Sequence, residues 1–205
     1  MRKLPKDEFK ELIIFNKLDS PAKIQDFLDG IRINFESGKR TCYSPLIVLK
    51  NKEAHCMEGA LFAAAALWYN GEPPLLLNLR TTDDDCGHVV ALFKRDGRWG
   101  AVSKTNHAVL RYRDPVYKSI RELAMSYFNE YFLDSGKKTM RSYSKPFNLT
   151  KYGGDWPISK KNLWKIFDDF MASPHVSVVD KKLIRRLRPA DQIEIKAGKL
   201  TEWKK

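Results

Sequence analysis

A chain of 205 residues that is 43% hydrophobic and 12% aromatic carries enough apolar surface for one packed core of ordinary domain size, which excludes global disorder and dependence on disulfides. Its formal charge of +12 comes largely from lysine-rich stretches at both ends and near 137–161. It reads as a solvated basic surface that can steer acidic partners, not as a dedicated nucleic-acid footprint.

Three cysteines, Cys42, Cys56 and Cys86, form no regular disulfide framework and leave at least one thiol free, as suits a reducing compartment. The stretch Met1–Glu8 is charged, and the apolar run Leu12–Phe15 behind it is too short for a secretion signal. The longest apolar run, Gly59–Tyr69, falls well short of the roughly 20 residues that cross a bilayer. A cytoplasmic protein without a membrane partner is expected.

In chain order, Ser20-Pro21 predicts a helix start, with a cap oxygen followed by proline at the first helical position. Ile24, Phe27, Leu28 and Ile31 mark its buried face over about 21–31. Glu36–Arg40 and Ser44-Pro45 read as loop. A second helix is predicted from near Glu53, with Met57, Ala60, Leu61, Ala64, Leu67 and Trp68 on one face and Asn70-Gly71 as its stop. Cys56 falls in its first turn. Leu75–Leu79 reads as a buried strand, followed by a polar break at Thr81–Asp85. His88–Phe93 and Trp99–Val102 then bracket Arg95-Asp96-Gly97-Arg98, a strong hairpin signal.

Asp114-Pro115 repeats the cap-plus-proline start and predicts a long helix carrying Val116, Ile120, Leu123, Ala124, Tyr127 and Tyr131 to near Gly136. Residues 137–156 read as irregular. A further helix is expected from Ser159, with Leu163, Ile166, Phe167, Phe170 and Met171 on one face. Beyond Pro174 the chain turns basic, with a short amphipathic helix over Lys181–Arg188 and a mobile appendage as its tail. The expected organisation is a single domain, 1–205, with its core at about 40–135 and a basic C-terminal extension at about 175–205.

The chemistry converges on two residues. A thiol enzyme attacks with its thiolate, and a cysteine in the first turn of a helix gains from the positive end of the helix dipole. Cys56 has that position. A partner imidazole takes the thiol proton and later gives it to the leaving group, and His88, at the start of the hairpin, is the candidate. His55 and His107 neighbour candidate residues but are expected to be structural, and His175 is assigned no role. Asp83-Asp84-Asp85 reads as a solvated loop. The spacing of the cysteines and His88 matches no closed zinc site, and no glycine-rich phosphate loop occurs, so neither metal nor cofactor is expected. Tyr112, Tyr117, Tyr127, Tyr131 and Trp164 read as core and cleft wall.

The segments Ala54–Ala60 around Cys56, Gly87-His88-Val89-Val90 and Gly97-Arg98-Trp99, taken in that order, resemble the catalytic core of the transglutaminase-like superfamily over about residues 40–135. The Asn106-His107 and Tyr112–Tyr117 stretches are similar to a microbial branch of it. The resemblance implies an α+β, papain-like fold: an antiparallel sheet packed on the helix that carries the nucleophilic cysteine, with flanking helices. It also implies cysteine-dependent acyl transfer on a peptide or protein substrate, and the basic surface suits an acidic one.

The third member in that family is usually an aspartate shortly after the histidine hairpin, and Ser103 stands there instead. Either Ser103 or Asn106 is then expected to orient His88. Strand alternation favours Ser103, and the stronger, longer-reaching acceptor favours Asn106; Asn106 is taken as slightly the better candidate. Hydrolysis of an amide through a thioester is the first reading. Alternatives are a catalytically silent binding domain of the same fold, consistent with the missing aspartate, and a cross-linking transglutaminase. A nucleic-acid-binding protein rests on charge alone.

Overall fold

Ser20 caps α1 (Pro21–Asp29) as expected, its hydroxyl accepting from the Lys23 N–H at 3.4 Å with Pro21 in the first turn. The computed structural model describes residues 10–204, so the charged Met1–Glu8 stretch lies outside the described residues. A 3₁₀ helix at Lys10–Asn16 precedes α1 and buries Leu12 and Phe15. After β1 (Arg32–Ile33), Ser44-Pro45 does not form a plain loop. Ser44 accepts from the Ile47 N–H at 3.3 Å and opens α2 (Pro45–Asn51), by the same signature that starts α1. The helix expected from Glu53 therefore begins later, because Lys52 closes α2 with φ of 55° and β2 (Glu53–Ala54) pairs in parallel with β1.

The next helix, α3 (Cys56–Tyr69), is buried at every position from Met57 to Tyr69. A helix apolar all round belongs in the middle of a core, and α3 lies between the main sheet and the α1–α2 layer. Phe62 stacks on Phe27 with ring centroids 4.9 Å apart and meets Phe15 edge-on at 5.1 Å. Gly59 marks its closest approach, since a Cβ there would lie 2.4 Å from Lys104 Cβ. Lys104 cannot easily yield, because its buried ammonium donates to the carbonyls of Leu28 and Ile31, each at 2.7 Å.

Gly59→Ala is therefore expected to destabilise. The overpacking cost of about 1–3 kcal/mol exceeds the gain of about 1 kcal/mol from alanine's better helix propensity. A lowered urea midpoint is the check; a raised one would mean that α3 and Lys104 separate freely.

The main sheet is built from β3 (Leu75–Arg80), β4 (His88–Arg95), β5 (Arg98–Ser103), β6 (Arg113–Tyr117), β7 (Ser142–Ser144), β8 (Phe147–Asn148) and β9 (His175–Ser177). Its order is β6-β5-β4-β3-β7-β9, with β8 also on β3, and every pairing is antiparallel. Asp96 and Gly97 both have positive φ, 47° and 76°, which is the two-residue turn that the Asp-Gly signal announces. Side chains alternate across the sheet: Val89, Ala91, Phe93 and Val102 pack with the α3 layer. Val90, Leu92 and Ala101 pack on the other face with Leu123, Tyr127, Tyr131 and Met140. The architecture is mixed helix and strand, an antiparallel sheet against helices.

Asp114-Pro115 does not start a helix. These residues lie in β6, an edge strand, where a proline's missing donor leaves no ladder bond unmade. The helix begins instead at α4 (Ile120–Ser126), capped by Ser119, whose hydroxyl accepts from the Glu122 N–H at 3.1 Å. It ends far short of Gly136, giving way to a 3₁₀ turn at Phe128–Glu130. Residues 137–156 hold two short strands and 3₁₀ turns. The helix expected from Ser159 is α5 (Trp164–Met171), and the chain ends with α6 (Lys181–Ile184) and α7 (Gln192–Gly198). Among the described residues no helix is long and apolar enough to cross a membrane.

Candidate active site

Cys56 is the first residue of α3, half-buried, with His55 as the helix cap. His55 Nδ1 accepts from the Met57 N–H at 3.2 Å, which requires a lone pair there, so the neutral ring carries its proton on Nε2. Nε2 faces the Thr41 carbonyl at 3.1 Å, with carboxylate oxygens of Glu58 and Glu36 at 3.4 and 3.6 Å. Glu58 completes a capping box with the His55 N–H at 3.0 Å and is fully buried. Its two oxygens also accept from Asn34, from the Thr41 hydroxyl and from the Tyr43 N–H. One buried carboxylate thus ties the 34–43 loop to the start of α3.

Burial opposes ionisation of Cys56, but hydrogen bonds to His55 and His88 and their positive charge outweigh it and bring the thiol from 9.0 down to about 5. Burial likewise opposes a charge on His55, yet the sulfur beside it raises the imidazole to about 9. Both shifts favour the thiolate, with positive charge on the imidazoles beside it. The cap bond from Met57 belongs to the neutral His55 ring, because a protonated Nδ1 cannot accept. Cys42 is the contrast: fully buried, it is pushed up to about 12 by desolvation and is an inert core thiol. Cys86 is exposed and free.

His88 opens β4 and is buried. Its Nε2 lies 2.7 Å from Ser103 Oγ, and that hydroxyl donates its single hydrogen to the Leu110 carbonyl at 2.6 Å. Ser103 can therefore only accept from His88, which puts the imidazole proton on Nε2 and leaves Nδ1 as the basic nitrogen. Ser103 is the last residue of β5, paired with Val90, and Gln25 clasps its backbone, donating to its carbonyl at 2.7 Å and accepting from its N–H at 2.9 Å.

Asn106, slightly preferred from the sequence, is not on His88. Strand β5 ends before it, as a free acceptor would require, but its amide is bound to Trp203. Nδ2 donates to the Trp203 carbonyl at 2.9 Å and Oδ1 accepts from the Trp203 N–H at 2.8 Å. The same contacts correct the expectation of a mobile tail. Ala108 N–H donates to the Leu200 carbonyl, Glu202 N–H to the Asn106 carbonyl, and His107 Nδ1 meets the Gly198 carbonyl at 2.9 Å. The C-terminal extension is a wall of the site.

A cleft of about 540 Å³ opens over these groups, bounded by His55, Cys56, His88, Tyr131, Ile195 and Lys199 among others. Of the Asp83-Asp84-Asp85 triplet, Asp84 pairs with Lys137, while Asp85 accepts from Thr139 and the Cys86 N–H. The sequence reading missed His55, whose signal was the pattern of a cap position with glutamate three residues later, and it assigned nothing to Leu110 or Glu130. Compared with known proteins, the chain matches no family model, and no curated protein matches its sequence. A half-buried thiol at a helix N-terminus, between two imidazoles of which one is fixed by Ser103, is what any account of this protein has to explain.

Proposed function

We propose that the protein is a cysteine-dependent acyl-transfer enzyme of the transglutaminase-like superfamily with a papain-like core, and that it hydrolyses an amide in a peptide or modified protein. The observation that carries this reading is the placement of the Cys56 thiol at the first position of α3 with His55 as its cap and His88, held by Ser103, beside it; their hydrogen bonds lower the thiol to about 5.

In the proposed reaction the Cys56 thiolate attacks the carbonyl carbon. The new S–C bond forms as the carbonyl electron pair moves to oxygen, where the Cys56 N–H at the helix start is one available donor. Collapse expels the amine, which takes a proton from the His88 imidazolium and leaves a thioester. Neutral His88 then draws a proton from water as the water adds, and a second collapse releases the acid and regenerates the thiolate–imidazolium pair. Ser103 holds His88 in the tautomer whose Nδ1 takes the thiol proton and becomes the imidazolium, and His55 lowers the cost of the negative sulfur from its other side.

Alkylation by iodoacetamide across pH, resolved by peptide mapping, tests this reading without a known substrate. Cys56 is expected to react faster than Cys42 and Cys86, with a half-maximal rate near pH 5, because its thiolate fraction rises through about 5 instead of 9.0. Equal rates at the three thiols, or a Cys56 profile centred near that of a free thiol, would leave a silent binding domain as the better account.

A further inference from the structure

Leu110 stands at φ of 61°, in the left-handed region where a Cβ crowds the following carbonyl and where glycine, asparagine or aspartate are the usual occupants. A leucine has no local reason to adopt it, so tertiary contacts must impose it. Two do so. Glu130 Oε2 accepts from the Leu110 N–H at 2.6 Å, and the Leu110 carbonyl accepts from Ser103 at 2.6 Å. Glu130 is in turn pinned by Arg113, whose guanidinium lies 4.0 Å from the centroid of the Tyr127 ring and also donates to the Ser126 hydroxyl. The Tyr127 hydroxyl donates to the Arg111 carbonyl at 3.1 Å, securing the same loop one residue on.

The Leu110 carbonyl is the far end of the line from His88 through Ser103. While it is in place, the serine hydrogen is committed to it and the serine oxygen can only accept from His88. Without it the hydroxyl is free to rotate and donate to Nε2. The imidazole proton would then move to Nδ1, and that nitrogen could no longer take a proton from the thiol.

We infer that Glu130 is a positioning residue for His88, acting by holding Leu110 in its left-handed conformation so that the Leu110 carbonyl fixes the Ser103 hydroxyl and, through it, the imidazole tautomer. The inference rests on the acyl-transfer reading above. It supplies what a serine lacks in the place of a carboxylate: a fixed hydroxyl orientation in place of charge.

The test is the alkylation rate of Cys56 in the full chain at pH 6 and pH 10, alongside the circular dichroism of each variant. Glu130→Ala is expected to lower the pH 6 rate about fivefold or more, since an upward shift of about two units from about 5 takes the thiolate fraction at pH 6 from about nine-tenths to about a tenth, and to leave the pH 10 rate within about twofold. Leu110→Gly, which adopts positive φ without strain, should restore most of the loss when combined with Glu130→Ala. Leu110→Val, β-branched and poorly tolerated at positive φ, should lose the pH 6 rate although Glu130 is intact.

A folded Glu130→Ala with the wild-type pH 6 rate, a double variant that regains nothing, or a fully reactive Leu110→Val would each overturn the inference. The valine variant decides the matter if Glu130→Ala does not fold. A wild-type chain whose Cys56 reacts only above pH 8 would instead defeat the underlying acyl-transfer reading, so the two failures are distinguishable.

Discussion

His88→Ala is expected to lower turnover of an activated ester such as p-nitrophenyl acetate by about two to four orders of magnitude, the usual contribution of a positioned general acid–base. Alkylation of Cys56 near neutral pH should fall much less. The two reactions ask different things of the site, since alkylation needs only a thiolate, while turnover also needs a proton delivered to the leaving group and one withdrawn from water. Removing His88 takes away the imidazole that Ser103 orients, but His55 and the N-terminus of α3 still stabilise the negative sulfur. Stopped-flow release of p-nitrophenol separates a surviving acylation burst from lost turnover. If His55→Ala abolishes turnover and His88→Ala spares it, the proton-shuttling role passes to His55.

Glu58→Ala should be the most destabilising single change at the site, by about 3–5 kcal/mol, the range for removing one partner from a buried, hydrogen-bonded charged group. Its carboxylate is fully buried and accepts from the His55 N–H at 3.0 Å, the Tyr43 N–H at 2.9 Å, Thr41 Oγ1 at 2.8 Å and Asn34 Nδ2 at 3.0 Å. A methyl group satisfies none of these donors, and two of them are backbone amides that must otherwise stay unpaired or draw in water. Against a typical total stability of about 5–15 kcal/mol, the loss should show as a large fall in the urea midpoint. Glu58→Gln keeps one carbonyl oxygen and should fall between. A loss below about 1 kcal/mol in the alanine variant would mean that the 34–43 loop is held by other contacts. The same substitution removes a carboxylate from beside His55 Nε2, so low-pH alkylation of Cys56 should weaken with it.

The sequence by itself determined those features whose energies are settled within a few residues. Ser20-Pro21 starts α1, Asp96-Gly97 makes the hairpin turn, and the apolar run after Cys56 places that thiol at a helix N-terminus. Each depends on a cap, a φ preference or a periodicity that one short window contains. Side-chain alternation along the hairpin even put Ser103 on the face of His88, and the structure bears out that pairing argument over the longer reach of Asn106.

Only the tertiary structure decided the rest, because hydrogen-bond partners distant in sequence are chosen by how loops close. Asn106 is occupied by Trp203, 97 residues away, and Leu110 takes a conformation that its own residue type disfavours because Glu130 holds it. Asp114-Pro115, identical in local signal to a helix start, became an edge strand because β5 offered a partner there. His55 looked structural while only its neighbours in sequence were in view. It became part of the site once Glu58, held by the 34–43 loop, fixed its ring beside the sulfur.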